Sequence, residues 1–309
     1  MKKPELLVTP VDIQNVKDVI EAGADAIMIG EEKFGLRLAG EFNQNEVAEA
    51  VRLAQASDVS VYVAMNALFH NAALPDLPDY LAFLNQIGTD GIVFGDPAVL
   101  LNAKTHAPDV NLHWNTETTV TNWFTANYWG RKGSSRAVLA RELNMDAILE
   151  IKEHADVEIE VQVQGMTCMF QSKRTLVGNY MEFQGQDLSV EGRSKDRSLV
   201  LHDPERDVKY PIWEDWNGTH IMSPKDICII DELDEMMDAG VDSFKIDGIL
   251  KSSAYLKAIT ALYRQAIDQY RADPDSYLDQ KEKWLKAVQD IQPENRQLDS
   301  GFFFKESVY

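Results

Sequence analysis

The chain of 309 residues contains 30 Lys and Arg against 50 Asp and Glu, a net charge of −20. This charge opposes nucleic-acid binding over most of the surface, because contact with phosphates depends on clustered cations. A composition of 45% hydrophobic and 26% charged residues, without low-complexity segments, excludes a disordered or fibrous protein. No apolar run approaches the roughly 20 residues of a membrane helix. The N-terminal residues also lack the apolar core of a signal peptide, so we expect a cytoplasmic protein without membrane contact.

The sequence contains two cysteines, Cys168 and Cys228. Two cysteines are too few for a disulfide framework, and their separation excludes a CxxC pair or a zinc site built from cysteines. None of the six histidines has the spacing of a metal-ligand pair. We therefore expect no metal site of this kind, and we expect Cys228 to be a small buried apolar residue.

Short runs rich in β-branched residues alternate with amphipathic stretches of helical periodicity, which predicts parallel strands joined by helices. Eight such strands favour a closed (β/α)₈ barrel of the TIM type. The alternative, a doubly wound open sheet, is disfavoured because no G-x-G-x-x-G loop follows the first strand. The predicted strands cover residues 5–9, 25–30, 59–66, 91–95, 110–115, 136–140, 157–164 and 242–247.

The alternation breaks once, between the seventh and eighth strands, where the sequence predicts short strands and turns. We expect barrel strands 1 to 7 within residues 1–165 and an inserted subdomain over the barrel mouth at 166–222. The eighth strand and its flanking helices follow at 223–270, and a C-terminal helix with an aromatic tail occupies 271–309. Long excursions of this kind are usually lids or binding surfaces.

Two local patterns near the end of the chain give further expectations. Ser223 has the residue type of a helix N-cap, with Pro224 in the first helical position. Three consecutive phenylalanines, Phe302 to Phe304, are expected to pack against the body of the protein or against a partner.

Chemistry in such barrels takes place at the carboxyl ends of the strands. Arginine and lysine side chains among the residues there could hold the carboxylate or phosphate of a small anion. Ion pairs that merely fix loops are the alternative interpretation. No G-x-S-x-G or H-E-x-x-H motif and no nucleophile with a neighbouring base is recognisable, so catalytic residues are not assigned. The residues expected at the mouth are Thr9, Glu31, Arg37, Asn66, Asp96, Asn115, Thr116, Glu117, Arg141, Glu142, Gln164, Lys245, Asp247 and Lys251.

Because the chain is acidic, any contact with RNA must be local or supplied by a partner. Small groups of basic residues are candidates for local contact, although ordinary solvated loops explain each of them as well. The candidate groups are Arg131, Lys132 and Arg136, then Lys173 and Arg174, and finally Arg193, Lys195 and Arg197.

Several sequence blocks resemble, in order, those of the collagenase-like U32 peptidase family, from about residue 4 to residue 270. They include "GADAIMIGEEKFGLRLAGEFN", "VYVAMNALFHN", "HWNTETTVTN", "EIEVQVQGMTC" and "SPKDICIIDELDEMMDAGVDSFKIDGILKS". The resemblance implies a (β/α)₈ barrel. Despite the family name, it also implies hydroxylation, since better-understood members act on tRNA wobble uridine, on ribosomal RNA cytidine or on ubiquinone. In the RNA-modifying members it further implies a [4Fe–4S] cluster, with prephenate as the source of the hydroxyl group.

The chain departs from this family pattern at the residues that would bind the cluster. Cys168 is retained, but Thr175 replaces a second cysteine, and residues 191–206 replace a cysteine-rich loop. Because four thiolates normally hold such a cluster, we interpret Cys168 and Thr175 as the remnant of a cluster site. The chain thus resembles shorter, cluster-lacking family members of some Gram-positive bacteria, and we expect it to bind no cluster alone.

The resemblance therefore favours the non-cluster subunit of a tRNA wobble-uridine 5-hydroxylation system. Its expected partner is a longer, cysteine-complete homologue that carries the [4Fe–4S] cluster, and tRNA would be bound through the complex. Two alternatives remain open at this point. One is a collagenase-like protease, and the other is a non-catalytic barrel that binds a small anion as a scaffold.

Overall fold

The structure is a computed structural model that describes residues 3–115 and 119–306. Thr116 and Glu117 therefore lie outside the described residues. In chain order the strands are β1 (Glu5–Val8), β2 (Ala26–Ile29), β3 (Ser60–Met65), β4 (Gly91–Phe94), β5 (Asn111–Trp114), β6 (Arg136–Val138), β7 (Glu158–Gly165), β8 (Cys168–Ser172), β9 (Val200–Asp203), β10 (Val208–Asp215), β11 (Gly218–Met222), β12 (Asp226–Cys228), β13 (Ser243–Ile246) and β14 (Leu298–Asp299).

Helices follow most of these strands. They are α1 (Ile13–Glu21), α2 (Gln44–Gln55), α3 (Leu77–Ile87), α4 (Pro97–His106), α5 (Trp123–Lys132), α6 (Met145–His154), α7 (Leu176–Phe183), α8 (Asp234–Asp238), α9 (Ser253–Ala272), α10 (Pro274–Leu278) and α11 (Lys281–Ile291). Among the described residues, no helix combines the length and the apolar character needed to cross a membrane.

The predicted (β/α)₈ barrel is confirmed. Strands β1 to β7 pair in parallel in chain order, and β13 closes the ring by pairing in parallel with both β7 and β1. All eight predicted strands are present, each within one or two residues of its expected bounds.

Local capping signals fix the helices around the barrel. Asp12 accepts the backbone N–H of Asn15 at the start of α1, and Asn43 forms a capping box with Glu46 at the start of α2. Such caps satisfy N–H groups that have no partner within the helix. Helix α3 ends at Gly88, whose φ of 75° is the left-handed conformation that glycine adopts without steric cost. The apolar faces of the helices pack on the outside of the strands and form the main hydrophobic core.

The inside of the barrel is strongly polar at its amino-terminal end. Arg136 is 3% exposed, and its guanidinium donates to Glu5 on β1 at 2.7 Å and to Glu158 on β7 at 2.8 Å. A longer contact of 3.4 Å reaches Glu160, also on β7. The guanidinium also lies 5.0 Å from the ring centroid of Tyr62. The prediction that Arg136 belongs to a surface patch is therefore wrong, because its strand directs it into the barrel.

Residues 166–222 leave the barrel and form an antiparallel four-stranded sheet in the order β8, β11, β10, β9. We call this segment the insertion. It contacts the barrel through a small apolar cluster of Met166, Trp213, Met222 and Ile249.

The insertion is also hydrogen-bonded to residues 32–39, the loop after β2, which we call the strap. Lys195 donates to the carbonyl oxygens of Leu38 and Ala39 at 3.1 and 3.2 Å. Asn217 donates to the carbonyl oxygens of Glu32 and Gly35 at 2.9 and 3.2 Å. Side chains of the insertion are therefore hydrogen-bonded to four backbone carbonyl oxygens of the strap.

One expectation for the end of the chain is wrong. Ser223 caps no helix, because residues 226–228 form β12, which pairs antiparallel with β7 and parallel with β14. Its hydroxyl instead accepts the N–H of Thr167 and donates to the carbonyl of Lys225. Of the three phenylalanines, Phe303 is buried in the body of the protein, whereas Phe302 and Phe304 are 45% and 54% exposed. Their packing against a partner stays a prediction.

A buried ionic group attaches the C-terminal region to the barrel. Asp226 on β12 accepts hydrogen bonds from Lys251, which follows β13, and from Gln292 and Arg296, which follow α11. The side chains of Asp226 and Lys251 are 0% and 1% exposed. Burial by itself would raise the pKa of Asp226, but the neighbouring Lys251 ammonium and Arg296 guanidinium outweigh it and hold the pKa below its usual value.

Replacement of Asp226 by Asn should destabilise the protein by about 3 to 5 kcal/mol at neutral pH, because it leaves two buried cations without their carboxylate. Since the folded-state pKa is depressed, the contribution of Asp226 is present well above about pH 4 and is lost as the pH falls below it. The difference between the wild type and Asp226→Asn in urea unfolding should therefore shrink in acid. Asp290→Asn, which removes an exposed pair with Lys286, is the control and should cost less than about 1 kcal/mol. Equal effects of the two substitutions would contradict the assignment.

Candidate functional site at the barrel mouth

A cavity opens at the carboxyl ends of the barrel strands, between the barrel and the insertion. It has a narrow deep part of about 40 Å³ and a wider outer part of about 340 Å³. The residues that line both parts are Leu36, Arg37, Asn66, Asn115, Arg141 and Cys168. The structure thus brings together four of the polar side chains nominated from strand ends, namely Arg37, Asn66, Asn115 and Arg141.

The floor of the deep part is formed by Gln162 on β7 and by Lys245 and Asp247 on or just after β13. Lys245 Nζ lies 3.0 Å from the Asp247 carboxylate. Directly deeper in the barrel is Glu160, whose pKa is raised by complete burial and is lowered in part by Arg136 and Lys245. Lys245 is therefore placed between two carboxylates, and its charge is largely balanced.

Two arginines add positive charge to the wall of the cavity. Arg37 is in the strap, in a left-handed backbone conformation with φ of 52°. This conformation is uncommon outside glycine. The preceding residue, Leu36, donates its N–H to Asn66 Oδ1 at 2.9 Å, which fixes the strap next to the end of β3. Arg141 follows β6 on the other side of the opening. A guanidinium is suited to bind carboxylate or phosphate oxygens through paired N–H groups.

Cys168 lies where the insertion meets the mouth. It is the first residue of β8, pairs with Met222 on β11 and lines the cavity, and its thiol donates to the carbonyl of Phe170 at 3.3 Å. Thr175, predicted to mark the second cluster position, is exposed and immediately precedes α7 without capping it through its side chain. It is not among the residues that line the mouth cavity.

Four nominated residues have structural contacts away from the deep part of the mouth. Asp96 lines only the outer part, and its carboxylate caps α4 by accepting the N–H of Ala98. Glu142 is exposed and lines a separate side cavity of about 400 Å³. Thr9 accepts the N–H of Gly248 through its hydroxyl. The Lys251 side chain is buried against Asp226, so its predicted position at the mouth is wrong.

Gln164 is also not at the mouth, and the reason is an irregularity in β7. The register with β13 shifts so that Lys245 pairs with Gln162 but Ile246 pairs with Gln164. An extra residue in one strand reverses which face the following side chains occupy. Gln164 therefore points outward, where it donates to the hydroxyl of Tyr255 and accepts from that of Tyr263.

The residues missed by the sequence reasoning include Gln162, whose side chain donates to the carbonyl of Met166 at 2.8 Å. The alternation of β7 does carry a signal for it, since Glu160 and Gln162 are both polar and two residues apart in a buried strand. The apolar part of the lining, such as Met166, Met222 and Ile249, has no comparable signal, because it comes from the insertion and from a loop.

The donor set does not fit an iron–sulfur cluster held by this chain alone. Cys228 is buried on β12 beside Tyr263, and the mouth contains one thiol, that of Cys168. Across residues 3–115 and 119–306, no group of three or more His, Cys, Asp or Glu side chains is arranged to hold a metal ion. A [4Fe–4S] cluster requires about four such donors, normally thiolates.

The two cysteines should differ sharply in reactivity. Burial raises the pKa of the Cys228 thiol to about 11, and alkylation requires an accessible thiolate. At pH 8, iodoacetamide should therefore modify Cys168 and leave Cys228 intact, as read by peptide mass spectrometry. Both should react in guanidinium chloride, which is the control. Modification of Cys228 in the folded protein at a rate similar to that of Cys168 would contradict the described packing of β12.

The sequence matches Peptidase family U32 across residues 11–308. It is 59% identical over 309 residues, covering both chains completely, to the protein named tRNA hydroxylation protein P2 of Bacillus subtilis (strain 168). It is also 33% identical to tRNA hydroxylation protein P1 of the same organism, over 98% of this chain and 71% of that protein.

Among solved structures, the fold is similar to that of the U32 peptidase Mk0906, with a TM-score of 0.50 and 15% identity over 79% of this chain and 92% of the other. At this low identity the similarity concerns the fold alone. Together with the family match over nearly the whole sequence, these findings confirm the resemblance seen in the sequence blocks. The chain belongs to peptidase family U32.

Proposed function

We propose that this chain is a subunit of a tRNA wobble-uridine 5-hydroxylation system. The observation that carries the proposal is the 59% identity, over the full length of both chains, to a protein named for tRNA hydroxylation. Because the two chains are this similar over their whole length, we expect them to share the barrel, the insertion and the mouth. Because this system would act on tRNA, we propose that the chain is cytoplasmic.

We further propose that a longer U32 homologue is the partner and carries a [4Fe–4S] cluster. Two relatives in one organism are named P1 and P2, and this chain covers all of P2 but 71% of P1. The donor set described above, with one thiol at the mouth, supports a division of labour in which the cluster is bound by the other subunit. In this complex the present chain contributes the barrel mouth and a surface for tRNA.

The mouth itself is suited to a small carboxylate. Arg37 and Arg141 bring two guanidinium groups to the outer part of the cavity, which has about 340 Å³, with Asn66 and Asn115 as further polar contacts. Prephenate, which carries two carboxylates and which the family resemblance implies, fits this arrangement of charges. Lys245 and its partner Asp247 would orient the bound molecule from the floor of the cavity.

A peptidase is a weaker candidate for this chain. Hydrolysis by a thiol requires a neighbouring base, and the described residues that line the mouth and the side cavity include no histidine. The thiol of Cys168 donates instead to a backbone carbonyl.

Deletion of the gene for this chain should abolish 5-hydroxyuridine and its derivatives at the wobble position, measured by mass spectrometry of tRNA nucleosides. Re-expression of the wild type should restore them. Arg141→Ala should restore less than about a tenth of the modified nucleoside, because an ion-pairing guanidinium contributes more than 1.4 kcal/mol to binding of a carboxylate. Arg141→Lys should restore an intermediate level and Lys283→Ala, on the exposed face of α11, a normal one. Normal modification in the deletion strain would end the proposal.

The chain purified alone under anaerobic conditions should contain far less than one [4Fe–4S] cluster per molecule, determined from iron and acid-labile sulfide. Co-expression with a cysteine-complete homologue should yield about one cluster per complex, since that homologue would supply the four thiolates. Cys168→Ala in this chain should leave the iron content of the complex unchanged. Four irons and four sulfides on the isolated chain would contradict the assignment of the cluster to the partner.

A further inference from the structure

A basic and aromatic surface lies on the outside of the barrel, on helices α4 and α5. We call it the α4–α5 face and define it by Lys104, Phe124, Tyr128, Arg131 and Lys132. About one residue in six of the chain is acidic, yet neither helix contains an Asp or Glu within its ten residues. The face is therefore a local positive region on a protein whose net charge is −20.

The cations of this face are directed to solvent. Lys104, Arg131 and Lys132 are all exposed, and none of the three forms an ion pair with a carboxylate in the described part of the chain. The C-terminal ends of the two helices are adjacent, since a Cβ placed on Gly133 would lie 3.9 Å from Lys104 Cε. The face thus carries three positive charges on two adjacent helices.

The aromatic side chains of α5 extend the face toward the barrel mouth. Phe124 and Tyr128 are 61% and 43% exposed, which is unusual for side chains of this size. Arg131 lies 5.7 Å from the ring centroid of Phe124, and Lys132 lies 5.3 Å from that of Tyr128. Helix α5 follows β5 in the barrel, so it begins at the carboxyl ends of the strands, where the cavity also opens. Phe124, in its first turn, is therefore at the same end of the barrel as the cavity.

Most of the other basic residues that the sequence suggested for RNA contact are engaged within the fold, including Arg197, which donates to the carbonyl of Glu191. Arg174, on the insertion, is exposed. Arg136 is inside the barrel. Arg193 donates to the buried carboxylate of Glu214 at 2.9 Å, and Lys195 holds the strap. Lys173 donates to the carbonyl of Trp216 at 2.8 Å. The α4–α5 face differs from these groups in combining three exposed cations with two exposed aromatic rings.

We propose that the α4–α5 face binds RNA, with Lys104, Arg131 and Lys132 on phosphates and with Phe124 and Tyr128 stacked on unpaired bases. Exposed aromatic rings combined with lysine and arginine are the arrangement that binds single-stranded nucleic acid. The acidic remainder of the surface repels phosphates and restricts contact to this face. The inference rests on the proposed function, because it assigns this face to the tRNA of that system.

The test uses the complex of the full chain with its longer homologue and a fluorescein-labelled tRNA anticodon stem-loop with uridine at the wobble position. Fluorescence anisotropy gives Kd over a range of salt concentrations. Arg131→Glu/Lys132→Glu should weaken binding about tenfold or more and reduce the slope of log Kd against log salt by about 1.4, since each lost single-strand phosphate contact removes about 0.7. Phe124→Ala/Tyr128→Ala should weaken binding about tenfold with an unchanged slope, because stacking is not ionic.

The matched control is Lys283→Glu/Lys286→Glu on α11, which changes the net charge by the same amount at another surface. It should lower affinity less than about threefold, as expected for long-range charge repulsion under salt screening. Thermal unfolding by circular dichroism should show that all variants are folded.

Several results would overturn the inference. One is that both variants of the face bind the stem-loop as tightly as the wild type. Another is that the control variant loses as much affinity as they do. The third is that the wild-type complex does not bind the stem-loop. Loss of co-elution with the longer homologue at unchanged RNA affinity would instead make the face a protein interface. Failure of the proposed function is distinguishable, because the deletion strain would then show normal hydroxylation, whereas the binding measurement reads this face separately.

Discussion

The guanidinium of Arg136, enclosed in the barrel, is the interaction on which the closed ring depends most directly. It joins β6 to Glu5 on β1 and to Glu158 and Glu160 on β7, so it links strands on both sides of the position where β13 completes the ring. A barrel of eight strands has room for a packed interior, and here part of that interior is ionic. Removal of the Arg136 guanidinium would leave the Glu160 side chain, which is 1% exposed, without this partner, and that is more costly than the loss of a surface ion pair.

The same charges determine the character of the mouth. From Arg136 the order continues through Glu160 and Lys245 to Asp247, so that positive and negative groups alternate from the floor of the barrel to the cavity. Lys245 lies between two carboxylates of this series, so in the proposed site it would orient a ligand rather than attract one. Arg37 and Arg141, which belong to the surrounding loops, would supply the attraction for an anion there.

The sequence predicted the barrel well and the site in part, for physical reasons. The alternation of apolar runs and amphipathic helices is a local property, and all eight strands followed from it. The direction of a side chain at a strand end is not local, as Gln164 shows, because one extra residue in β7 turned it outward. Lys251 was misplaced because its partner, Asp226, is distant in sequence. Arg136 was misplaced because the local sequence looks the same for a buried and for an exposed arginine at the start of a short strand. Only the three carboxylates that contact Arg136 in the fold show that it is buried.

The strap connects the insertion to the wall of the mouth cavity, and this connection has a thermodynamic consequence. Its backbone oxygens are held by Lys195 and Asn217 of the insertion, and its left-handed residue, Arg37, supplies one of the two guanidinium groups of the cavity. If the insertion tilted, Arg37 would therefore move with it. By reciprocity, any free energy with which a ligand of the proposed site binds Arg37 would also oppose that movement, and a macromolecule that holds the insertion in place would raise the affinity for the small molecule by the same factor.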